Sequence, residues 1–168
     1  MYLYMEITFL TPLDESVFHS LETMLSKIKI KPKSLTNNRR GFPERHRAIT
    51  FGITTGRFDG ITGLSHSSRK YPHIHEEILK IGKIICGGVG FDFKSIHLNN
   101  NVICPKHKDM KNVGKSVLVS FGDYSGANVV IEDDIYDAKY NPIMFDGSKL
   151  EHWNTDNLIG NKYSLVFF

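Results

Sequence analysis

From Asp92 to the last residue, short apolar runs alternate with turn residues, and no other feature limits the fold as much. The runs cover residues 93–102, 116–121, 128–132, 135–140, 142–145 and 163–168. Between them stand Gly114, Gly122-Asp123, Ser125-Gly126, Asn141-Pro142, Asp146-Gly147 and Gly160-Asn161. These residues accept the turn conformations that β-branched and aromatic side chains resist. Many short strands at this spacing, preceded by helices, predict a mixed α/β but mainly β fold. The expected form is a double-stranded β-helix, a jelly-roll or cupin-like barrel, with N-terminal helices packed on one side.

Residues 1–90 are expected to supply the helices and supporting strands, and residues 91–168 the jelly-roll core, within a single domain over 1–168. Asp14 can cap a helix in which Val17, Phe18, Leu21, Met24, Leu25 and Ile28 recur at helical spacing. Pro72 stands where a second helix begins, and Ile74, Ile78, Leu79, Ile81, Ile84 and Ile85 give it an apolar face. Residues 6–10 and 48–53 read as strands that complete the barrel, 32–44 reads as a long loop, and 56–68 is rich in Gly and Ser. No apolar run is long enough to span a membrane, so no membrane association is expected. Residues 1–6 lack a basic stretch followed by an apolar run, and Cys86 and Cys104 are isolated. An intracellular location, cytoplasm or nucleus, with reduced thiols is the expectation.

The chemistry lies in the second half. The chain holds one His-x-Asp, His107-Lys108-Asp109, and His152 is the one histidine after it. Side chains alternate along an extended segment, so His107 and Asp109 point to one face. Two histidines and a carboxylate that leave adjacent positions open are the ligand set of a non-haem Fe(II) oxygenase. Fe(II) is therefore expected at His107, Asp109 and His152, with the cosubstrate taking two open positions and O2 the third. On the last strand Lys162 and Ser164 share one face, and Tyr163, Leu165 and Phe167 the other. A lysine inside a barrel is costly without an anion. The C5 carboxylate of 2-oxoglutarate is the expected anion, with Ser164 adding a hydrogen bond. His73 and His75, two apart at a helix start, are expected to be exposed and outside the site.

The segments His107-Lys108-Asp109-Met110-Lys111-Asn112-Val113-Gly114 and Lys162-Tyr163-Ser164-Leu165-Val166-Phe167-Phe168 resemble the TET/JBP family of 2-oxoglutarate- and Fe(II)-dependent dioxygenases. Gly122-Asp123-Tyr124-Ser125-Gly126 and Phe145-Asp146-Gly147-Ser148 are similar to turn segments of the JBP branch and its viral relatives. The resemblance covers roughly residues 95–168. It implies oxidation of the 5-methyl group of a pyrimidine, thymine or 5-methylcytosine, in nucleic acid, with succinate and CO2 as coproducts. His107, Asp109 and His152 would hold the iron, Lys162 would anchor 2-oxoglutarate, and Asn112 would brace the metal loop or the substrate side. Ascorbate would support turnover. The chain departs from the family in carrying Lys162 where arginine is usual, a point charge in place of a bidentate fork. It also shows no Cys-rich zinc module before the core.

The net charge of +3 is too mild to identify a polyanion partner. Its distribution is uneven: Lys31, Lys33, Arg39, Arg40, Arg45 and Arg47 stand against the single acid Glu44. Arg39, Arg40 and Phe42 are candidate phosphate and base contacts, and the same charges also suit an ordinary solvated loop. Tyr124, and with it Tyr71 and Trp153, can line a pocket or simply pack. A protein or peptide side-chain hydroxylase on the same barrel is the alternative, since its site has the same pattern. A non-catalytic jelly-roll binding module is a third reading, and four intact site residues argue against it.

Overall fold

The computed structural model describes residues 6–30, 47–56, 58–110 and 113–168. Arg39, Arg40, Phe42 and Asn112 lie outside the described residues. In chain order the first strands are β1 (Thr8–Phe9), β2 (Arg47–Thr55), β3 (Thr62–Leu64), β4 (Ser95–Asn100), β5 (Ser116–Phe121) and β6 (Tyr124–Ser125). They are followed by β7 (Val129–Ile131), β8 (Asp134–Tyr136), β9 (Ile143–Phe145), β10 (His152–Asn154), β11 (Ile159–Gly160) and β12 (Tyr163–Phe167). The helices are α1 (His19–Ser26), entered through a 3-10 turn over Glu15–Phe18, α2 (His66–Lys70) and α3 (Pro72–Gly87).

Seven strands form one antiparallel sheet in the order β1-β9-β5-β12-β4-β2-β3. Opposed to it are the short ladders β10-β7-β8 and β11-β6. This is the double-stranded β-helix expected from the turn spacing, and strands from the N-terminal half extend its large sheet at both edges. Among the described residues, no helix is long and apolar enough to cross a membrane.

The helices cover one face of the large sheet. The Asp14 side chain accepts from the Ser16 N–H at 2.9 Å, which caps the entry to α1 as expected. In α3, Ile74, Ile78, Ile81 and Ile85 are buried with Ile96, Leu98, Val117, Val119, Leu165 and Phe167 of the sheet. Gly82 permits the close approach: a Cβ there would stand 2.5 Å from Phe93 Cζ and 2.8 Å from Phe167 Cε1.

Register then fixes what faces the barrel. Leu165 and Phe167 join the helix-side core, so Ser164 faces inward, level with Asn99 on one neighbour and Ser120 on the other. A second apolar cluster of Val129, Ile131, Ala138, Ile143 and Phe145 fills the rest of the interior.

Three expectations need correction. Ile84 is 57% exposed, because it sits about 100° round the helix from buried Ile85. Ile28 falls past the end of α1, which stops at Ser26. The Gly- and Ser-rich stretch over 56–68 contains β3 and the start of α2, where Ser65 caps the helix through the Ser68 N–H. His75 is half-buried, its ring stacked on Phe51 with 6.2 Å between centroids, whereas His73 is exposed as expected.

Candidate metal centre and cosubstrate pocket

His107 reaches the site on a segment that pairs with β10. The His107 N–H donates to the His152 carbonyl at 3.1 Å, and the His152 N–H donates back at 3.0 Å. Lower on the same pair, the Asn154 N–H donates to the Cys104 carbonyl and the Cys104 N–H to Asn154 Oδ1. Beyond it, the Asp109 N–H donates to the Gly147 carbonyl at 2.8 Å. Backbone pairing thus carries both ends of His-x-Asp to His152.

Each histidine uses its Nδ1 on the carbonyl two residues upstream. His107 Nδ1 lies 2.7 Å from the Pro105 oxygen, and His152 Nδ1 lies 3.0 Å from the Leu150 oxygen. A carbonyl only accepts, which assigns the proton to Nδ1 in each ring. Both rings therefore turn their Nε2 atoms into the site. These point at Asp109 Oδ1, at 3.4 Å from His107 and 3.7 Å from His152.

Two imidazole nitrogens and a carboxylate oxygen are together a ligand set for a divalent cation. The three ligand atoms lie within 4.8 Å of one another. An octahedral ion with bonds of about 2.1 Å would set neighbouring ligand atoms about 3.0 Å apart. The residues fit such an ion with small closing movements.

The protonation states agree with this. Burial lowers the His152 pKa and keeps the ring neutral. A hydrogen bond from His107 holds the Asp109 carboxyl below its usual range against the opposing effect of burial, with His152 and His97 adding to it.

Gly147 was not singled out as a site residue, yet it forms a wall of the centre. A Cβ at Gly147 would collide with the Asp109 carboxylate and stand 3.0 Å from His152 Cε1. Gly147→Ala is expected to weaken metal binding about 10- to 100-fold, the size of effect seen for residues that orient ligands. Titration with Co(II), followed by its visible absorption, measures this; unchanged affinity would show that the carboxylate has room to move.

Lys162 is 5% exposed at the opposite end of β12 from Phe168. Its Nζ donates to the Ala127 carbonyl at 2.6 Å and lies 5.6 Å from the Tyr124 ring centroid. Among the described residues, no carboxylate forms an ion pair with it. Burial pushes its ammonium down to about 8. Around it stand Ser164, 8% exposed, and Ser120, 2% exposed, with Asn99 Nδ2 at 3.5 Å from Ser164 Oγ. Such a pocket, one buried cation among hydroxyls and an amide, fits a carboxylate.

Tyr124 stands beside Lys162, with Lys139 Nζ 4.8 Å from its centroid, so it belongs to this pocket. Trp153 is half-exposed, with Lys106 Nζ 4.8 Å from its ring, and Tyr71 packs against the helix-side core. His97, also not singled out from the sequence, faces the barrel from β4. It is bonded through Nδ1 to Thr50 Oγ1 at 2.8 Å and packs on Phe168 at 4.7 Å between centroids.

No family model and no curated protein sequence matches the chain. Solved structures do. An oxidoreductase of the 2OG-Fe(II) oxygenase family from Burkholderia pseudomallei matches with a TM-score of 0.67 and 14% identity, over 96% of this chain and 84% of that one. NgTET1 in complex with 5mC DNA matches with a TM-score of 0.59 and 14% identity, over 97% and 71%. A prolyl-4-hydroxylase from Pseudomonas putida matches with a TM-score of 0.56 and 9% identity, over 98% and 92%. At these identities the likeness is one of architecture: the chain has the double-stranded β-helix fold of the 2OG-Fe(II) oxygenases.

Proposed function

We propose that the protein is an Fe(II)- and 2-oxoglutarate-dependent dioxygenase that hydroxylates the 5-methyl group of a pyrimidine in nucleic acid. The observation that carries the oxygenase reading is the convergence of His107 Nε2 and His152 Nε2 on Asp109, each ring fixed by a backbone carbonyl at its other nitrogen.

His107, Asp109 and His152 would hold Fe(II). When bound, the metal would supply the O2 chemistry, with 2-oxoglutarate leaving as succinate and CO2. Lys162 would bind the C5 carboxylate of 2-oxoglutarate, and Ser164 would add a hydrogen bond. The apolar cluster of Val129, Ile131, Ile143 and Phe145 excludes water from the interior beside them.

The pyrimidine reading rests on the resemblance of the His107–Gly114 and Lys162–Phe168 segments to the TET/JBP family. The fold shared with NgTET1 is compatible with it, as is the fold shared with a prolyl-4-hydroxylase with the protein-hydroxylase alternative.

A nucleoside assay by mass spectrometry tests it. The protein is incubated with Fe(II), 2-oxoglutarate, ascorbate and oligonucleotides carrying thymine or 5-methylcytosine, single- and double-stranded. A hydroxymethyl product that the Asp109→Ala variant does not form is the expected result. Succinate release with no modified nucleoside would retain the oxygenase and transfer the substrate to a protein or peptide.

A further inference from the structure

The antiparallel register gives the barrel a direction. Lys162 and Phe168 flank β12 at its two ends, six residue steps or about 20 Å apart at strand spacing. On β4, Asn99 is level with Ser164, and His97 with Val166. Along β7, Lys162 Nζ meets the carbonyl of Ala127 just before the strand, whereas His152 is level with Ile131, four residues further on. A cosubstrate held at Lys162 and reaching the metal occupies the Lys162 side, so a substrate must approach from the Phe168 end.

What stands at that end is a hairpin. The pairing of β2 with β4 stops at Gly52 and Ser95, and β2 then continues alone with β3. Beyond the sheet, Phe58 is 99% exposed and Ile61 69% exposed, and the cross-strand pair Ile53 and Leu64 is also open to solvent. Such a row of apolar groups on a projecting loop is unusual unless it meets something.

The base of the hairpin is cationic. The Ile53 N–H donates to the Lys94 carbonyl, which places Lys94 there. The Gly52 N–H donates to Ser68 Oγ at 2.9 Å and the Ser65 N–H to the Gly52 carbonyl, which fixes α2 beside it, with exposed Arg69 and Lys70 following Ser68. The acid at the tip, Asp59, is engaged by the Ile61 N–H at 2.9 Å.

We propose that the β2–β3 hairpin and the end of α2 form a docking surface for single-stranded nucleic acid at the open end of the barrel. Phe58 and Ile61 meet a base face, and Arg69, Lys70 and Lys94 meet phosphates. The pairing of chemistries selects the occupant. Apolar tips match base faces, which a duplex hides in its stack and a single strand exposes. Three cations at the foot of an apolar tip match a polyanion better than a peptide backbone. The inference rests on the nucleic-acid reading of the site and adds to it where the strand lies and which form it takes.

The test is fluorescence anisotropy with a labelled single-stranded oligonucleotide, using the full chain without metal, over a range of salt concentrations. Phe58→Ala is expected to weaken binding about 10-fold, the loss of one stacked base. The double variant Arg69→Glu, Lys70→Glu is expected to lower the slope of log affinity against log salt by about 1.4 in magnitude, at about 0.7 per phosphate contact. In parallel, uncoupled succinate release by Phe58→Ala is expected to match that of the unaltered protein. Equal oligonucleotide binding by Phe58→Ala and the unaltered protein would overturn the docking surface, as would tighter binding of the same sequence as a duplex. Intact binding with no succinate release from any variant would retain the surface and reject the oxygenase reading.

Discussion

Asp109→Ala is expected to abolish Fe(II)-dependent succinate release and to leave the barrel folded. The carboxylate is the one formal negative charge in the ligand cluster, and both histidine Nε2 atoms face its Oδ1. Losing a partner that merely orients a ligand costs about 10- to 100-fold in metal affinity, so loss of the ligand itself should exceed ~100-fold. The fold should survive because the Asp109 side chain is 31% exposed and the barrel cores do not include it. The local strand pairing also survives, since the Asp109 N–H bond to Gly147 is made by the backbone.

Asp109→Asn separates charge from shape. It keeps the volume and removes the charge, so it should bind metal almost as poorly as the alanine variant. Calorimetric titration with Fe(II) under anaerobic conditions reads the affinity, and far-ultraviolet circular dichroism reads the fold. Metal affinity within threefold of the unaltered protein in both variants would place the metal elsewhere. A low-pH comparison adds a sign. The Asp109 pKa is lowered in the folded state, so its contribution to stability is present above the ordinary carboxylate pKa near 3.8 and fades as pH falls through the lower folded value. Acid unfolding should therefore begin at higher pH in Asp109→Ala.

The centre was legible in the sequence only in part, and the division is physical. His-x-Asp is local: an extended segment puts both side chains on one face whatever surrounds it. His152 was reachable because no other histidine follows His107. Gly147 was not, because its importance is an absent Cβ against Asp109, a contact between segments that only folding brings together. His97 and Asn99 escaped for a different reason. They alternate with Ile96 and Leu98, and alternation on a strand ordinarily reads as polar toward water. Here α3 covers the apolar face and the second layer covers the polar one, so Asn99 meets Ser164 and His97 meets Thr50. The ladders of two residues, β6 and β11, lie below any periodic signal. The longer runs over 116–121 and 163–168 were legible because both are bounded by turn residues and both carry continuous apolar content.

Lys162→Met is expected to make the protein more stable and its cosubstrate binding much worse. The ammonium is nine-tenths or more buried, with a backbone carbonyl and a tyrosine ring as its partners. Burial pushes its pKa from 10.5 down to about 8. The unfolded chain therefore holds a proton that the folded chain gives up between those values, and stability rises with pH across that window. At neutral pH the folded protein carries the full cost of the buried charge, on the order of 3 kcal/mol. Methionine keeps the apolar stem and removes the charge, so urea unfolding at pH 7 should show a gain, absent at pH 11. The opposite holds for 2-oxoglutarate. A charge-assisted bond lost from a buried pair costs about 2–5 kcal/mol, a rise in the 2-oxoglutarate requirement of at least about 30-fold. Lys162→Arg should stay within about 10-fold, because guanidinium still carries the charge. In the unaltered protein, affinity for 2-oxoglutarate should fall above pH 8, where the lysine must recover a proton to meet the carboxylate; the arginine variant should show no such fall. A structural lysine moves stability alone. Only an anchor for the cosubstrate moves stability up, affinity down and the alkaline limb together, and an unchanged 2-oxoglutarate requirement in Lys162→Met would remove Lys162 from the site.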